Sequence, residues 1–133
     1  MKKVLVAGGN GFVGKQVMKL LKDKHQALAL SRRDGFDLTD LKSAASKIAE
    51  FKPYVIVNCS AHVGSLNYVS ELAAVVLDEN LRIVMNLYKA TQENAPKAKI
   101  INPISNCSYP GEAEVHSEPS WWDGPVHRSV WSY

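Results

Sequence analysis

Short apolar runs alternate with longer amphipathic stretches over the first hundred residues. Four runs are rich in β-branched and aliphatic residues, as is typical of buried strands: residues 3–7, 27–30, 55–57 and 98–101. Between them, apolar side chains recur every three or four residues, which predicts amphipathic helices. The helical stripes are Val13, Val17, Leu20 and Leu21, then Leu41, Ala44, Ala45 and Ile48, then two stripes within residues 78–94.

Strands that alternate with helices at this spacing predict βαβ units, right-handed crossovers and a parallel sheet, so the fold class is α/β. Asp37 or Thr39 is expected to cap the second helix. From Asn102 onward the period is lost among prolines, glycines and the Trp121-Trp122 pair, which predicts loop. A doubly wound sheet that stops after four strands is half built, so residues 1–133 are expected to be an N-terminal fragment that ends before any substrate-binding lobe.

Composition narrows the class of protein only a little. The chain has 133 residues, of which 46% are hydrophobic and 22% charged, as in one folded domain. Its net charge of +3 is too small to predict nucleic acid or a membrane surface as a partner. No apolar run approaches the roughly 20 residues of a membrane helix. The two cysteines, Cys59 and Cys107, are expected to be reduced thiols, which favours a cytoplasmic protein.

A glycine loop follows the first strand and opens the first helix. Its GxxGxxG spacing places Gly8 at a tight turn, Gly11 against a pyrophosphate and Gly14 at the contact of helix and strand, with Phe12 and Val13 between them. This context predicts a Rossmann-type dinucleotide site. Two alternatives stay open. The loop is also close to a Walker A motif that has Gln16 in place of Ser or Thr, or it is a turn that binds nothing.

The end of the second strand suggests which dinucleotide binds. Arg32 and Arg33 stand where an NAD site would have an acidic residue, and arginine suits a 2′-phosphate, so NADP(H) is the expected cofactor. The alternative is a solvated basic turn in which Asp34 pairs with an arginine. Asp37 and Leu38 are expected beside the adenine, with a helix-capping role for Asp37 as the alternative.

The sequence resembles the extended short-chain dehydrogenase/reductase family, and within it the GDP-L-fucose synthases. Four segments carry the resemblance in order: Gly8 to Gly14, Ser31 to Asp34, Asn58 to Gly64, and Ser105 to Pro110. The third segment, which has His62 where the family has Lys, implies that Ser60, Ala61 and His62 also contact the cofactor. The fourth, Ser-x-Cys-x-Tyr-Pro, is the more specific.

The resemblance implies a chemistry as well. It makes Ser105 and Tyr133 a catalytic pair that assists hydride transfer to a 4-keto sugar nucleotide, with a Lys expected beyond residue 133. It also makes Cys107, together with a histidine expected beyond residue 133, the pair that exchanges protons beside the ketone. His116 and His127 are assigned no role, and no metal site is expected.

Alternatives to a synthase remain. A nucleotide-sugar 4-epimerase or 4,6-dehydratase of the same superfamily would share the cofactor site, and a non-catalytic nucleotide-binding module would keep only the glycine loop.

The two apolar stripes within residues 78–94 predict that one face of this helix packs on the sheet and the other packs in a homodimer. The expected contact is a four-helix one, of the kind that resembling proteins use.

Overall fold

The computed structural model describes residues 1–112 and 114–126. In them, four strands form one parallel sheet in the order β2-β1-β3-β4. The strands are β1 (Lys3–Ala7), β2 (Gln26–Leu30), β3 (Val55–Asn58) and β4 (Lys99–Ile101). The helices are α1 (Phe12–Leu21), α2 (Leu41–Phe51), α3 (Leu66–Glu71) and α4 (Ala73–Asn94). The predicted α/β fold with a parallel, Rossmann-type sheet is confirmed.

One face of the sheet carries the main apolar core. Because side chains alternate along a strand, Leu5 and Ala7 of β1 and Ile56 of β3 point to the same side. There they form a single buried cluster with side chains of α2 and α4, namely Ala44, Ile48, Ile83, Leu87 and Ala90. Of the two apolar stripes predicted within residues 78–94, the one that contains Ile83, Leu87 and Ala90 therefore packs on the sheet.

The opposite face is covered less completely. Helix α1 contacts β1 and β2 there, and Val4 is buried. Beyond the helix, an apolar groove runs across the sheet, bordered by Leu21 of α1 and floored by Val55, Val57 and Ile101. Ile101 is 54% exposed. We refer to this surface as the sheet groove.

Several local predictions need correction. Neither Asp37 nor Thr39 caps α2; Asp40 does, its carboxylate accepting a hydrogen bond of 3.0 Å from the backbone N–H of Lys42. Helix α3 was not predicted, because its six residues bury only Val69. The stretch after Asn102 contains short 3₁₀ turns at Asn106–Ser108 and Glu118–Trp122. Pro103 lies beyond the end of β4, so the N–H group that proline lacks does not interrupt the hydrogen bonds of that strand.

The residues divide into two compact units. The first, residues 1–62 and 78–102, contains the sheet and its core. The second contains residues 63–77 and the described part of the chain from residue 103. In it the rings of Tyr109 and His116 stack with centroids 4.9 Å apart, and Trp121 meets Tyr109 edge-on at 4.7 Å. In the described part of the chain no helix is long and apolar enough to cross a membrane.

Candidate functional site

A cavity of about 470 Å³ opens at the carboxyl ends of the strands, within the first unit. It lies where the chain order reverses, with β2 on one side of β1 and β3 on the other. Open parallel sheets bind ligands at this point, since the loops leaving neighbouring strands diverge there. Three loops line the cavity, those that follow β1, β2 and β3.

The loop after β1 has the geometry that the glycines predict. Gly8 has a φ of +70°, a left-handed conformation that favours glycine, and its N–H donates to the carbonyl of Leu30 at 2.8 Å. A side chain on Gly8 would stand 2.6 Å from the carbonyl oxygen of Cys59, and one on Gly14 would overlap the carbonyl of Gly8. Both positions are closed to any larger residue.

The loop delivers the beginning of α1 to the cavity. Gly11 is the N-cap and lines the cavity, and no side chain caps the helix. The first N–H groups of α1 therefore remain available for an anion. Phe12 and Val13 begin the helix and are 90% and 55% exposed, outside the cavity wall. Lys15 also lines the cavity, although the sequence analysis did not place it in the dinucleotide site.

A short 3₁₀ turn at Arg32–Asp34 follows β2 and presents both arginines. Arg32 and Arg33 are exposed and line the cavity. The Asp34 carboxylate is engaged elsewhere: its Oδ2 accepts from the backbone N–H and the hydroxyl of Ser31, at 2.9 and 2.6 Å, and from the amide of Asn10 at 2.9 Å. The turn thus leaves its two arginine side chains exposed on the cavity wall.

Asp37 and Leu38 continue this wall. Asp37 Oδ1 accepts from the hydroxyl and the backbone N–H of Thr39, at 2.7 and 2.9 Å. These bonds hold the pKa of the Asp37 carboxyl below its ordinary value, and the Arg32 charge adds to them against partial burial. Leu38 is buried in the core, and its carbonyl accepts from the Asn86 amide at 2.9 Å.

The third wall is the segment after β3. Asn58, the last residue of β3, is buried and bridges two strand ends: its amide donates to Asn102 Oδ1 at 2.7 Å, and its own Oδ1 accepts from the N–H of Ser60 at 3.0 Å. Ser60, Ala61 and His62 then line the cavity, as does Cys59, whose thiol pKa is raised by burial.

Helix α4 fixes His62. Nδ1 of its imidazole lies 2.9 Å from Glu79 Oε2. The Asn80 side chain accepts from the His62 N–H at 2.8 Å and donates to the His62 carbonyl at 2.9 Å. Sequence reasoning assigned no role to Asn58 and missed Glu79 and Asn80, since a polar residue at a strand end or inside a helix gives no signal of its distant partner.

Of the predicted catalytic residues, the structure describes Ser105 and Cys107. Ser105 and Cys107 belong to the second unit, where the Ser105 hydroxyl accepts from the Cys107 N–H at 3.2 Å at the start of a 3₁₀ turn. Ser105 is exposed and Cys107 half-buried. Tyr133 and His127 lie outside the described residues.

The reversal of strand order at β1, together with a glycine loop that feeds a helix, defines a nucleotide-binding domain of Rossmann type. The chain belongs to the NAD dependent epimerase/dehydratase family, whose family model matches residues 4–133. The family expected from the sequence is confirmed, and the expected nicotinamide cofactor agrees with it.

Individual relatives are sugar-nucleotide enzymes by name. A probable GDP-L-fucose synthase of Drosophila melanogaster is 30% identical over the whole chain, and the match covers 42% of that protein. A GDP-L-fucose synthetase of Naegleria fowleri, solved bound to NADP, superposes with a TM-score of 0.80 at 25% identity, over 99% of this chain and 40% of that one.

A dTDP-4-dehydrorhamnose reductase of Clostridium acetobutylicum superposes equally well. Its TM-score is 0.81 at 26% identity, over 98% of this chain and 45% of that one. The chain thus spans less than half the length of each of these relatives.

Proposed function

We propose that the chain binds NADP(H) in the cavity at the carboxyl ends of β1, β2 and β3. The observation that carries the proposal is the pair Arg32 and Arg33, exposed on the cavity wall while Asp34 is bonded to Ser31 and Asn10. Guanidinium groups form strong, charge-assisted hydrogen bonds with phosphate. The Naegleria relative, which was solved with NADP, supports the same cofactor.

The other residues of the cavity fit a dinucleotide. Gly11 and the uncapped start of α1 would receive the pyrophosphate. Asp37 and Leu38 would flank the adenine, and Ser60, Ala61 and His62 would continue along the ribose and nicotinamide side. Phe12 and Val13 would contribute backbone N–H groups, because their side chains point into solvent.

A titration of both cofactors tests this proposal. Wild type should bind NADPH about ten- to a hundredfold more tightly than NADH, the value of a charge-assisted hydrogen bond. The double variant Arg32→Ala, Arg33→Ala should lose that preference and keep its affinity for NADH. Arg82→Ala is the matched control, since Arg82 pairs with Asp78 on α4 away from the cavity. Equal wild-type affinities for NADPH and NADH would overturn the proposal.

For the reaction, we infer an NADP(H)-dependent reduction of a 4-keto sugar nucleotide, with epimerisation beside the ketone as in a GDP-L-fucose synthase. The bound cofactor supplies the hydride. Ser105 would hydrogen-bond the ketone oxygen and Tyr133 would donate its proton. Cys107 would exchange protons at the flanking carbons together with a second acid–base group on the opposite face of the sugar. The Drosophila and Naegleria relatives support this reaction by their names.

A reductase without epimerisation is the second candidate. The likeness to the Clostridium dTDP-4-dehydrorhamnose reductase favours it. It requires Ser105 and Tyr133 and leaves Cys107 as a packing residue. The two candidates therefore differ at Cys107.

A further inference from the structure

The turn that carries the two arginines is joined to the glycine loop by a bridge of side chains. Asn10 Nδ2 donates to Asp34 Oδ2 at 2.9 Å and lies 3.2 Å from the Ser31 hydroxyl. Asp34 Oδ2 also accepts from the Ser31 hydroxyl and backbone N–H. One carboxylate oxygen thus receives three hydrogen bonds from residues on both loops.

The bridge closes one end of the turn, and other bonds close the far end. Gly35 has a φ of +71° and donates to the Arg32 carbonyl at 3.1 Å, while its own carbonyl accepts from the Ser43 hydroxyl of α2 at 2.9 Å. Arg32 and Arg33 are the only residues between Ser31 and Asp34. The backbone that carries both arginines is therefore held at Ser31 on one side and at Asp34 and Gly35 on the other.

We propose that Asp34 and Asn10 are positioning residues for the 2′-phosphate: they hold the arginine turn against the glycine loop. This inference rests on the proposed NADP(H) function. Both residues are exposed, and Asp34 carries a negative charge beside an anion site. A carboxylate at this place would weaken phosphate binding through its charge, so its contribution must come from geometry.

Charge and geometry predict opposite results. Loss of the Asp34 charge alone would strengthen the binding of a second phosphate, whereas loss of the bridge frees the arginines and weakens it. Suitable probes are adenosine 2′,5′-bisphosphate and adenosine 5′-monophosphate, which differ only in the 2′-phosphate. The ratio of their affinities isolates the contact of interest from the rest of the adenosine site.

The experiment is a calorimetric titration of both probes into six forms of the chain, the wild type and five variants. Asp34→Ala and Asn10→Ala should each lower the preference for the bisphosphate about five- to tenfold, a part of one charge-assisted bond. The double variant should lose no more than the single ones, because they break one bridge. Asp34→Asn keeps an acceptor oxygen without the charge and should retain the preference. Asp40→Ala, which removes the cap of α2 outside the cavity, is the matched control.

The outcomes separate the two proposals. If wild type binds both probes equally, the NADP(H) preference itself is wrong. If wild type prefers the bisphosphate and Asp34→Ala keeps or raises that preference, only the positioning role is overturned. Should Asp34→Ala fail to fold, Asn10→Ala decides, since Asn10 is an exposed loop residue.

Discussion

At the scale of single residues, Cys107 separates the two candidate reactions. In deuterated water, and in a polypeptide that reduces the sugar nucleotide, Cys107→Ser should abolish solvent-deuterium incorporation beside the ketone and leave hydride transfer largely intact. Tyr133→Phe should slow hydride transfer by about 10² to 10⁴ and leave the exchange. Both are measured by mass spectrometry of the sugar. Exchange at the wild-type rate in Cys107→Ser would favour the simple reductase.

Gly14 is a position where the addition of a single methyl group should markedly lower the free energy of unfolding. A methyl group there would overlap the carbonyl of Gly8 and the Cα of Gly9, which are backbone atoms that cannot rotate away. We expect Gly14→Ala to destabilise the chain by about 1–3 kcal/mol, as overpacking does, and to abolish NADPH binding. Urea unfolding and a cofactor titration measure the two effects.

Gly124→Ala is the control for that substitution. Among the described residues, its added methyl would meet only the Pro110 Cβ, at an ordinary 3.5 Å. It should leave both the unfolding free energy and the cofactor affinity at their wild-type values. If Gly14→Ala behaves like Gly124→Ala, the close contact between helix and loop is not what requires glycine.

The sequence predicted the glycine loop and both arginines, but not what holds them. The spacing of Gly8, Gly11 and Gly14 makes the loop recognisable in the sequence, because few other contexts combine a strand, three glycines and a helix. The Asn10–Asp34 bridge joins residues 24 positions apart and has no spacing signal. From the sequence, Asp34 could equally have paired with one of the arginines. The structure instead places three hydrogen-bond donors around its Oδ2 atom.

At the scale of elements, α4 has an apolar stripe that the described part of the chain does not cover. Leu81, Met85 and Tyr88 are 52%, 66% and 48% exposed, whereas the stripe of Ile83 and Leu87 is buried. We propose that the exposed stripe pairs with a second copy of the chain, as the two stripes in the sequence predict.

The double variant Leu81→Lys, Met85→Lys tests this pairing by sedimentation at micromolar concentration. Wild type should sediment as a dimer and the variant as a monomer, since two lysines would desolvate at the contact. Leu20→Lys, on the exposed side of α1, is the control and should remain dimeric. A monomeric wild type would refute the pairing.

Elements were predictable in proportion to the apolar surface they bury. The strands and α1, α2 and most of α4 carry clear periods because a face of each packs on the sheet. Helix α3 buries one side chain, and its clearest mark is Ser65, whose hydroxyl accepts from the Tyr68 N–H at 3.3 Å. The α2 cap was misplaced because Asp37, Thr39 and Asp40 are all good caps, and Asp37 instead accepts both hydrogen bonds of Thr39.

At the scale of the whole molecule, the sheet groove leaves apolar surface of β3 and β4 uncovered by the described residues. Parallel sheets are ordinarily covered on both faces. We expect the 133-residue chain to bind a hydrophobic dye such as anilinonaphthalene sulfonate, and Ile101→Lys to reduce the fluorescence at least several-fold. Stability should change by less than about 0.5 kcal/mol, since Ile101 is 54% exposed. Val115→Lys, at an exposed position of the second unit, should leave dye binding unchanged.

The strand order also has a consequence for synthesis. β1 is the first strand to be made, yet it lies between β2 and β3, so its second neighbour is complete only at Asn58. Translation proceeds at about 5–20 residues per second, so several seconds pass between the synthesis of β1 and that of β3. Throughout that interval β1, the strand with the most buried residues, has an open edge, the condition in which strands from neighbouring chains pair wrongly. A ribosome-bound chain should therefore depend most on chaperones before residue 58 has emerged.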